Sequence, residues 1–272
     1  MKKINWIVGL LMSVTAFGQA PGTFNAEFGF GGKGLYGQGN LNQFATGSIA
    51  TMGDGEVVFG GVHEAASGTD FAIYRLHSDG NFDNSFNFDG RYRANLNETD
   101  MMRDISLQAD GKVVFCGATQ DPESGLDMVI GRVNKNGLND NTFGNDGLIQ
   151  IDLSLGGAEI AERVFVSRND EIFVSGIMGV GGELFFSILK LNEDGTYDQS
   201  FGNGGRLTIP VEFDYAVLFD MKVSNDGSIY LAGTVRNNSQ DRALICKINP
   251  DGTLDPSFAG DGMKDFIVGI GT

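Results

Sequence analysis

The apolar residues of this chain recur at every second position or in short runs, and glycine-containing turns separate these segments. Ile105 and Leu107 show the alternation in one segment, and Met221 and Val223 show it in another. A period of two places apolar side chains on one face of a β-strand. Beyond the first eighteen residues no segment has the spacing of an amphipathic helix, so the pattern predicts an all-β protein.

A longer motif recurs every 57 or 58 residues and divides the chain into units. It joins an Asp-Gly or Asn-Gly turn to an Asp, a Ser or Thr, and a Phe. The four full copies occupy 79–86, 136–143, 194–201 and 251–258, and a weaker copy occupies 22–28. A fixed period of this length is typical of proteins that stack one structural unit. The predicted units are 22–79, 80–136, 137–194 and 195–251, with a partial fifth at 252–272.

Each unit has the features of four short antiparallel strands. Turn pairs separate two apolar runs at 54–55, 110–111, 169–170 and 226–227, which predicts tight hairpins. The next apolar run carries a basic residue in register, at Arg75, Arg132, Lys190 and Lys247. A short run then follows the glycine after the motif. Four such strands in each repeat predict a β-propeller blade, whereas a β-solenoid has shorter repeats without these hairpins.

The partial fifth unit leaves the closure of the propeller open. Its single predicted strand, 263–268, either seals a ring of four blades or belongs to an open arc, the front part of a truncated ring. Propellers contain roughly four to eight blades. We therefore predict an all-β fold, a β-propeller of four-stranded antiparallel blades with four full repeats and a partial fifth.

The motif copies at 192–202 and 249–258 resemble the delta-60 repeat of bacterial secreted and cell-surface proteins. The Asp-Gly turns of the tight hairpins share this resemblance, which extends over residues 22–262. It implies a β-propeller, mostly of unassigned function and often part of a larger exported polypeptide. It implies no catalytic residue.

The first eighteen residues have the layout of a secretory signal peptide. Lys2 and Lys3 precede an apolar stretch, and Ala16 and Gly18 are small residues placed for cleavage before Gln19. The apolar stretch is too short and too interrupted for a good membrane span. The sequence therefore predicts a secreted or cell-surface protein, with residues 19–272 as its β-propeller domain and no transmembrane segment.

The charge of the chain restricts its partners. The net charge is −16, which disfavours binding to nucleic acid and to anionic lipid. An unknown ligand, either a glycan or a protein, and other domains of a longer chain remain as candidate partners.

Cys116 and Cys246 occupy different strands in units that are not adjacent, so we predict two buried thiols and no disulfide.

The aspartate of the motif is the one recurrent candidate for a metal ligand. It stands at Asp83, Asp140, Asp198 and Asp255. Oxygen-rich turns bind calcium, but an aspartate after a turn glycine also accepts backbone N–H groups of its own loop, and a residue repeated in every unit suggests that structural role. Calcium remains an alternative. We predict no other cofactor and no catalytic residue, because no nucleophile has a base beside it.

The connections that vary between units are the candidate binding surface. They are 62–68, 118–125, 177–182 and 234–240 within units, and 97–102, 153–162 and 210–217 between them. In a four-stranded antiparallel blade both sets lie on one face of the propeller, and loops on a rigid scaffold commonly bind ligands. The candidate residues are His63, Glu64, Asp121, Glu123, Asn237 and Asp241.

We predict an exported, non-catalytic binding or structural scaffold. The alternative is a secreted carbohydrate-active hydrolase or lyase with its site on this face.

Overall fold

The computed structural model describes residues 46–65, 68–152, 157–211, 215–237 and 240–267. Sheet 1 contains β1 (Thr46–Thr51), β2 (Val57–Ala65), β3 (Gly68–Leu76) and β4 (Arg91–Ala94). Sheet 2 contains β5 (Asp100–Leu107), β6 (Val113–Asp121), β7 (Gly125–Val133) and β8 (Leu148–Ile151). Sheet 3 contains β9 (Glu159–Val166), β10 (Ile172–Val180), β11 (Glu183–Leu191) and β12 (Arg206–Val211). Sheet 4 contains β13 (Tyr215–Val223), β14 (Ile229–Asn237), β15 (Gln240–Ile248) and β16 (Met263–Ile267).

Every sheet has four antiparallel strands that pair in chain order, which is the arrangement of a propeller blade. The predicted fold class is therefore confirmed. The predicted signal peptide, 1–18, and the weak motif copy, 22–28, lie outside the described residues. The described part of the chain has no helix long and apolar enough to cross a membrane.

The blades are out of phase with the sequence repeat. The motif turn connects the third strand of a sheet to its fourth, so each repeat unit ends inside a blade. The strand that the repeat assigned to a partial fifth unit is β16, and it completes sheet 4 by pairing with β15, where Cys246 lies opposite Met263. Its pairing partner among the described strands is thus the neighbouring strand of its own sheet and not a strand of sheet 1.

The sheets pack side by side in chain order, with β1, β5, β9 and β13 adjacent to one another along the inner edge. One apolar cluster lies between each pair of neighbouring sheets. No comparable packing joins sheet 4 to sheet 1 among the described strands. Val114, Phe173 and Tyr230 occupy the same position in the second strand of sheets 2, 3 and 4. Val114 and Phe173 are 0% and 4% exposed because the next sheet covers them, whereas Tyr230 in sheet 4 is 36% exposed.

The motif turns of neighbouring sheets contact each other. Gly144 N donates to Asp194 O across 2.9 Å, and the ring of Phe143 is fully buried beside Gly195 of the next turn. The same backbone bond joins Asn87 N to Asn136 O at 2.7 Å. The Phe of the motif recurs from unit to unit because each motif turn covers the aromatic ring of the preceding motif turn.

The first strand of every sheet contains a β-bulge at the same position. In sheets 2, 3 and 4 the residue left unpaired is Arg103, Glu162 and Phe219, respectively. A bulge redirects a side chain out of the regular alternation. The bulges therefore turn three chemically different side chains away from the cores between the sheets.

The two thiols are both buried and neither forms a disulfide, as predicted. Cys116 lies in the cluster between sheets 2 and 3, and Cys246 lies in the cluster between sheets 3 and 4. Two separate apolar clusters therefore enclose them.

Candidate binding face

The antiparallel order of the strands gives the propeller two faces. We call the face with the motif turns the motif face. The opposite face, which we call the variable face, carries the hairpins between the second and third strands and the connections between sheets. Backbone bonds confirm that these two sets of connections lie together, since Thr69 N donates to Glu98 O at 3.1 Å and Gly179 N donates to Ala158 O at 2.9 Å.

On the motif face, the repeated aspartate has donors on both carboxylate oxygens. Asp140 Oδ1 accepts the backbone N–H and the hydroxyl of Thr142, and Oδ2 accepts Arg132 Nε at 2.7 Å. Asp83 has the equivalent bonds from Ser85 and Arg75. The role of these aspartates in holding the turn, which the sequence suggested, is the one the geometry shows.

In sheets 3 and 4 a lysine replaces the arginine. Lys190 Nζ lies 3.2 Å from Asp198 and Lys247 Nζ lies 2.7 Å from Asp255. The hydrogen bonds from Lys247 and from the Ser257 hydroxyl and N–H lower the pKa of Asp255 to about 2. All four motif aspartates considered as calcium ligands thus have a cationic side chain of the protein beside them.

The residues predicted in variable loops lie mostly on strands. The second and third strands pair almost to their ends, so that only short turns separate them. His63 and Glu64 belong to β2 and pair with Asp70 and Thr69, so their assignment to a loop was wrong. Burial, with Arg93 nearby, lowers the pKa of His63.

The other predicted residues are at the ends of two hairpins. Asp121 ends β6, and Glu123 lies in the turn that follows, where its N–H donates to Asp121 Oδ1 at 2.8 Å. That bond and the Ser124 N–H lower the pKa of Asp121. Asn237 ends β14, and Asp241 lies on β15, where it accepts Arg236 Nε at 2.6 Å. These residues share the variable face but do not converge on one site.

A cavity of about 590 Å³ lies between the inner parts of sheets 3 and 4 and reaches the variable face. Gly179 and Leu184, at the end of a hairpin, line it together with Ala158 of the connection between sheets. The bulged residues line it as well: Arg103, Glu162 and Phe219. Binding sites are commonly concave, with apolar walls and a few polar groups that orient the ligand.

The polar part of this cavity is a small group of charges. Arg103 Nε lies 3.7 Å from Glu162 Oε2, and Arg163 also lines the cavity. Burial raises the pKa of Glu162, although the two arginines oppose the shift. Phe219 is 52% exposed and lines the cavity. The cavity therefore offers an aromatic face beside two guanidinium groups and one carboxylate.

The sequence pattern placed Glu162 among the acidic residues of the variable connections, but it indicated neither Arg103 nor Phe219. The sequence predicted the strand on which each residue lies, but a bulge is visible in a sequence only as a break in the alternation of apolar and polar residues. An alignment of the units could have indicated them, because the same position carries three unrelated side chains between an apolar residue and a charged one.

The described residues that line the cavity do not include the carboxylate pair of a glycosidase. Such enzymes use two carboxyl groups, roughly 5 to 9.5 Å apart, on either side of the scissile bond. Glu162 is the one carboxylate among the described residues that line the cavity.

Comparisons with known proteins support the fold. Three segments, 53–86, 168–201 and 224–258, match the model of a family described as a beta-propeller domain of unknown function, DUF5122, and together they cover less than half of the chain. All three end on the phenylalanine of the motif, at Phe86, Phe201 and Phe258. The comparison with curated proteins found no match.

Two solved structures are similar at low identity. A hypothetical protein from Leishmania major is 15% identical, with a TM-score of 0.41; the match covers 76% of this chain and 69% of that one. Extracellular domains 1–2 of Drosophila Semaphorin 1b are 12% identical, with a TM-score of 0.29 and a match over 77% of this chain and 55% of that one. The four-stranded sheets and the matched repeat segments together identify the chain as a β-propeller repeat protein.

Proposed function

We propose that the protein is an exported, non-catalytic binding module of the delta-60 repeat type, which recognises an extracellular glycan or protein at the cavity between sheets 3 and 4. One observation carries the proposal: the bulges direct Arg103, Glu162 and Phe219 toward this cavity instead of the cores. A half-exposed Phe beside charged groups contributes little to folding and is suited to contact a ligand.

The motif face supports this division of roles. Its turns repeat the same bonds in successive sheets, so its residues serve the fold of each blade. The variable face differs from blade to blade and carries the cavity. Rigid scaffolds with variable connections on one face are common among binding proteins.

Export follows from the leader-like segment at residues 1–18 and places the protein outside the cell or on its surface. Expression of the full chain in a bacterial host with a functional secretion system tests this part. We expect the mature protein outside the cytoplasm, with Gln19 as its first residue by N-terminal sequencing. A protein that stays in the cytoplasm with residues 1–18 uncleaved would contradict it.

The binding site is tested by a pair of matched variants in sheet 4. Phe219→Ala removes the aromatic face of the cavity, and Phe266→Ala removes a phenylalanine that is 45% exposed elsewhere on the same sheet. Purified wild-type and variant proteins are screened against glycan and extracellular-protein arrays. We expect Phe219→Ala to lose at least about 1.4 kcal/mol of binding, a tenfold weaker affinity, and Phe266→Ala to bind like wild type. Equal loss in both variants, or in neither, would rule out the cavity as the site.

A further inference from the structure

Three carboxylates meet at the boundary between sheets 2 and 3, beneath the variable face. Asp127 lies on β7, Asp152 follows β8, and Glu159 begins β9. One oxygen of each carboxylate lies within 4.8 Å of one oxygen of each of the other two. We call these three residues the acidic cluster. Asp127 and Glu159 are 1% and 2% exposed, whereas Asp152 is exposed.

The buried members of the acidic cluster lack a protein counter-charge. No lysine or arginine of the described residues forms an ion pair with Asp127 or Glu159. Asp127 accepts hydrogen bonds from Ser124 Oγ at 3.0 Å and from Gln150 Nε2 at 2.7 Å. Glu159 Oε1 is buried with no hydrogen-bond donor among the described residues. A buried ionised carboxylate without a partner is costly, so this oxygen requires an explanation.

The equivalent boundary between sheets 1 and 2 shows how the same position is satisfied without a ligand. Asp100 begins β5 as Glu159 begins β9. The Thr119 hydroxyl, from the residue opposite, donates to Asp100 Oδ1 at 2.5 Å, and Leu96 N donates to Oδ2 at 2.9 Å. Asn95, the residue after β4, donates to Asp70 Oδ1 at 2.6 Å.

Two replacements remove these donors from the second boundary. Met178, which cannot donate, lies opposite Glu159 at the position of Thr119. Asp152 follows the fourth strand at the position of Asn95. The second boundary therefore has one more negative charge, and its described residues offer fewer donors. Burial and the charges of Asp127 and Asp152 raise the pKa of Glu159 to about 7.

We propose that Asp127, Asp152 and Glu159 bind a hard divalent cation of the Ca²⁺ class. Calcium takes oxygen ligands at about 2.3 to 2.6 Å, so two ligands on opposite sides of the ion are at most about 5 Å apart. The spacing of the three carboxylates satisfies this limit. Zinc sites usually include nitrogen or sulfur ligands, and the cluster has neither.

Two of the three carboxylates are buried, which distinguishes this site from a catalytic carboxylate pair that a substrate must reach. The 1% and 2% exposures of Asp127 and Glu159 exclude a glycan from reaching them, whereas a small ion enters past the exposed Asp152. The bound ion joins β7 and the end of β8 in sheet 2 to β9 in sheet 3. It acts as a clamp between two blades, independently of whether the cavity between sheets 3 and 4 binds a ligand.

Calcium binding to the purified, chelator-treated protein tests the proposal by titration calorimetry and by thermal unfolding, with MgCl₂ as a second probe. We expect one calcium ion per chain, with Kd on the order of 10⁻⁴ M as in extracellular modules, and a higher Tm in calcium. Asp152→Asn and Glu159→Gln each weaken binding at least about tenfold. Glu183→Gln, which changes an exposed acid at the start of β11 on the same face, retains wild-type affinity.

A second measurement keeps the proposal testable if a variant folds poorly. Without calcium, Glu159→Gln has a higher Tm than the wild type because it removes an uncompensated buried charge; with calcium, the order reverses. A Tm shift in CaCl₂ no larger than in NaCl of equal ionic strength would overturn the proposal. Calcium affinity unchanged in both Asp152→Asn and Glu159→Gln would overturn it too. Both results leave ligand binding at the cavity between sheets 3 and 4 untouched.

Discussion

Arg132 and Asp140 form an ion pair inside the protein, with 2.7 Å between Nε and Oδ2 and side-chain exposures of 1% and 4%. The same guanidinium donates to Thr142 Oγ1 at 3.2 Å and to Glu193 O of the next motif turn at 2.7 Å, and it lies over the ring of Phe143. One side chain therefore holds its own turn and joins it to the neighbouring blade. A planar guanidinium that donates to three separate acceptors in this way distinguishes arginine from lysine.

Replacing Arg132 by Met should destabilise the protein by about 3 to 5 kcal/mol, because it leaves Asp140 buried without its partner. Urea denaturation monitored by circular dichroism measures the change. Lys222→Met, at a pair with Asp220 on a side chain that is 76% exposed, should change stability by less than about 1 kcal/mol. Similar losses in both variants would contradict the role assigned to Arg132.

Replacing Gly137 by Ala should be far more costly than replacing Gly181 by Ala. Both residues have positive φ, +82° and +61°, so both variants carry the strain of an L-residue in that region, about 1 kcal/mol or more. A Cβ at Gly137 would also lie 2.5 Å from Asn87 N in the adjacent turn, whereas nothing lies within 4 Å at Gly181. Chemical denaturation of the two variants isolates the contact between turns. Equal effects would show that the turns separate without cost.

Acid should destabilise the protein as the motif aspartates become protonated. Hydrogen bonds and cationic partners lower the pKa of Asp83, Asp140, Asp198 and Asp255, in the last case from 3.8 to about 2. A lowered folded-state pKa means that the stabilisation is present above the unfolded value and is lost as pH falls through the folded one. The Tm difference between wild type and Asp255→Asn should therefore shrink between about pH 4 and pH 2. A difference independent of pH in this interval would contradict the pairing with Lys247.

Neither thiol should react in the native protein. Burial raises the pKa of the Cys116 thiol well above its usual range and that of Cys246 to about 12, so the reactive thiolate is scarce and inaccessible. A chromogenic disulfide reagent should detect no thiol in native buffer and two in urea. Absence of both thiols in urea would indicate a disulfide that the fold does not contain.

Local patterns were sufficient to predict much of this fold. Asp-Gly turns between apolar runs predicted the hairpins, because the turn conformation requires residues that tolerate positive φ. Asp170, which replaces glycine in sheet 3, has φ of 58° and meets that requirement. The period of 57 or 58 residues predicted blades, and the buried rings of Phe86, Phe143 and Phe201 confirm the motif as part of the core.

What local patterns could not reveal depends on how residues of different strands pair. The repeat has no intrinsic starting point, so only strand pairing showed that β16 completes sheet 4. The bulge at Phe219 and the length of the hairpins likewise depend on how two strands align. Each of these features is set by register, which a single strand does not encode.

The sequence by itself determined a β-propeller repeat, because turn chemistry and strand alternation are properties of neighbouring residues. The tertiary structure alone decided which carboxylates share a site. The motif aspartates, prominent in sequence, have cationic partners on the strands that precede their own turns. Asp127, Asp152 and Glu159 have no shared motif, and they meet because two blades pack together at that boundary. Electrostatic interactions depend on distance in space, which the repeat pattern does not contain.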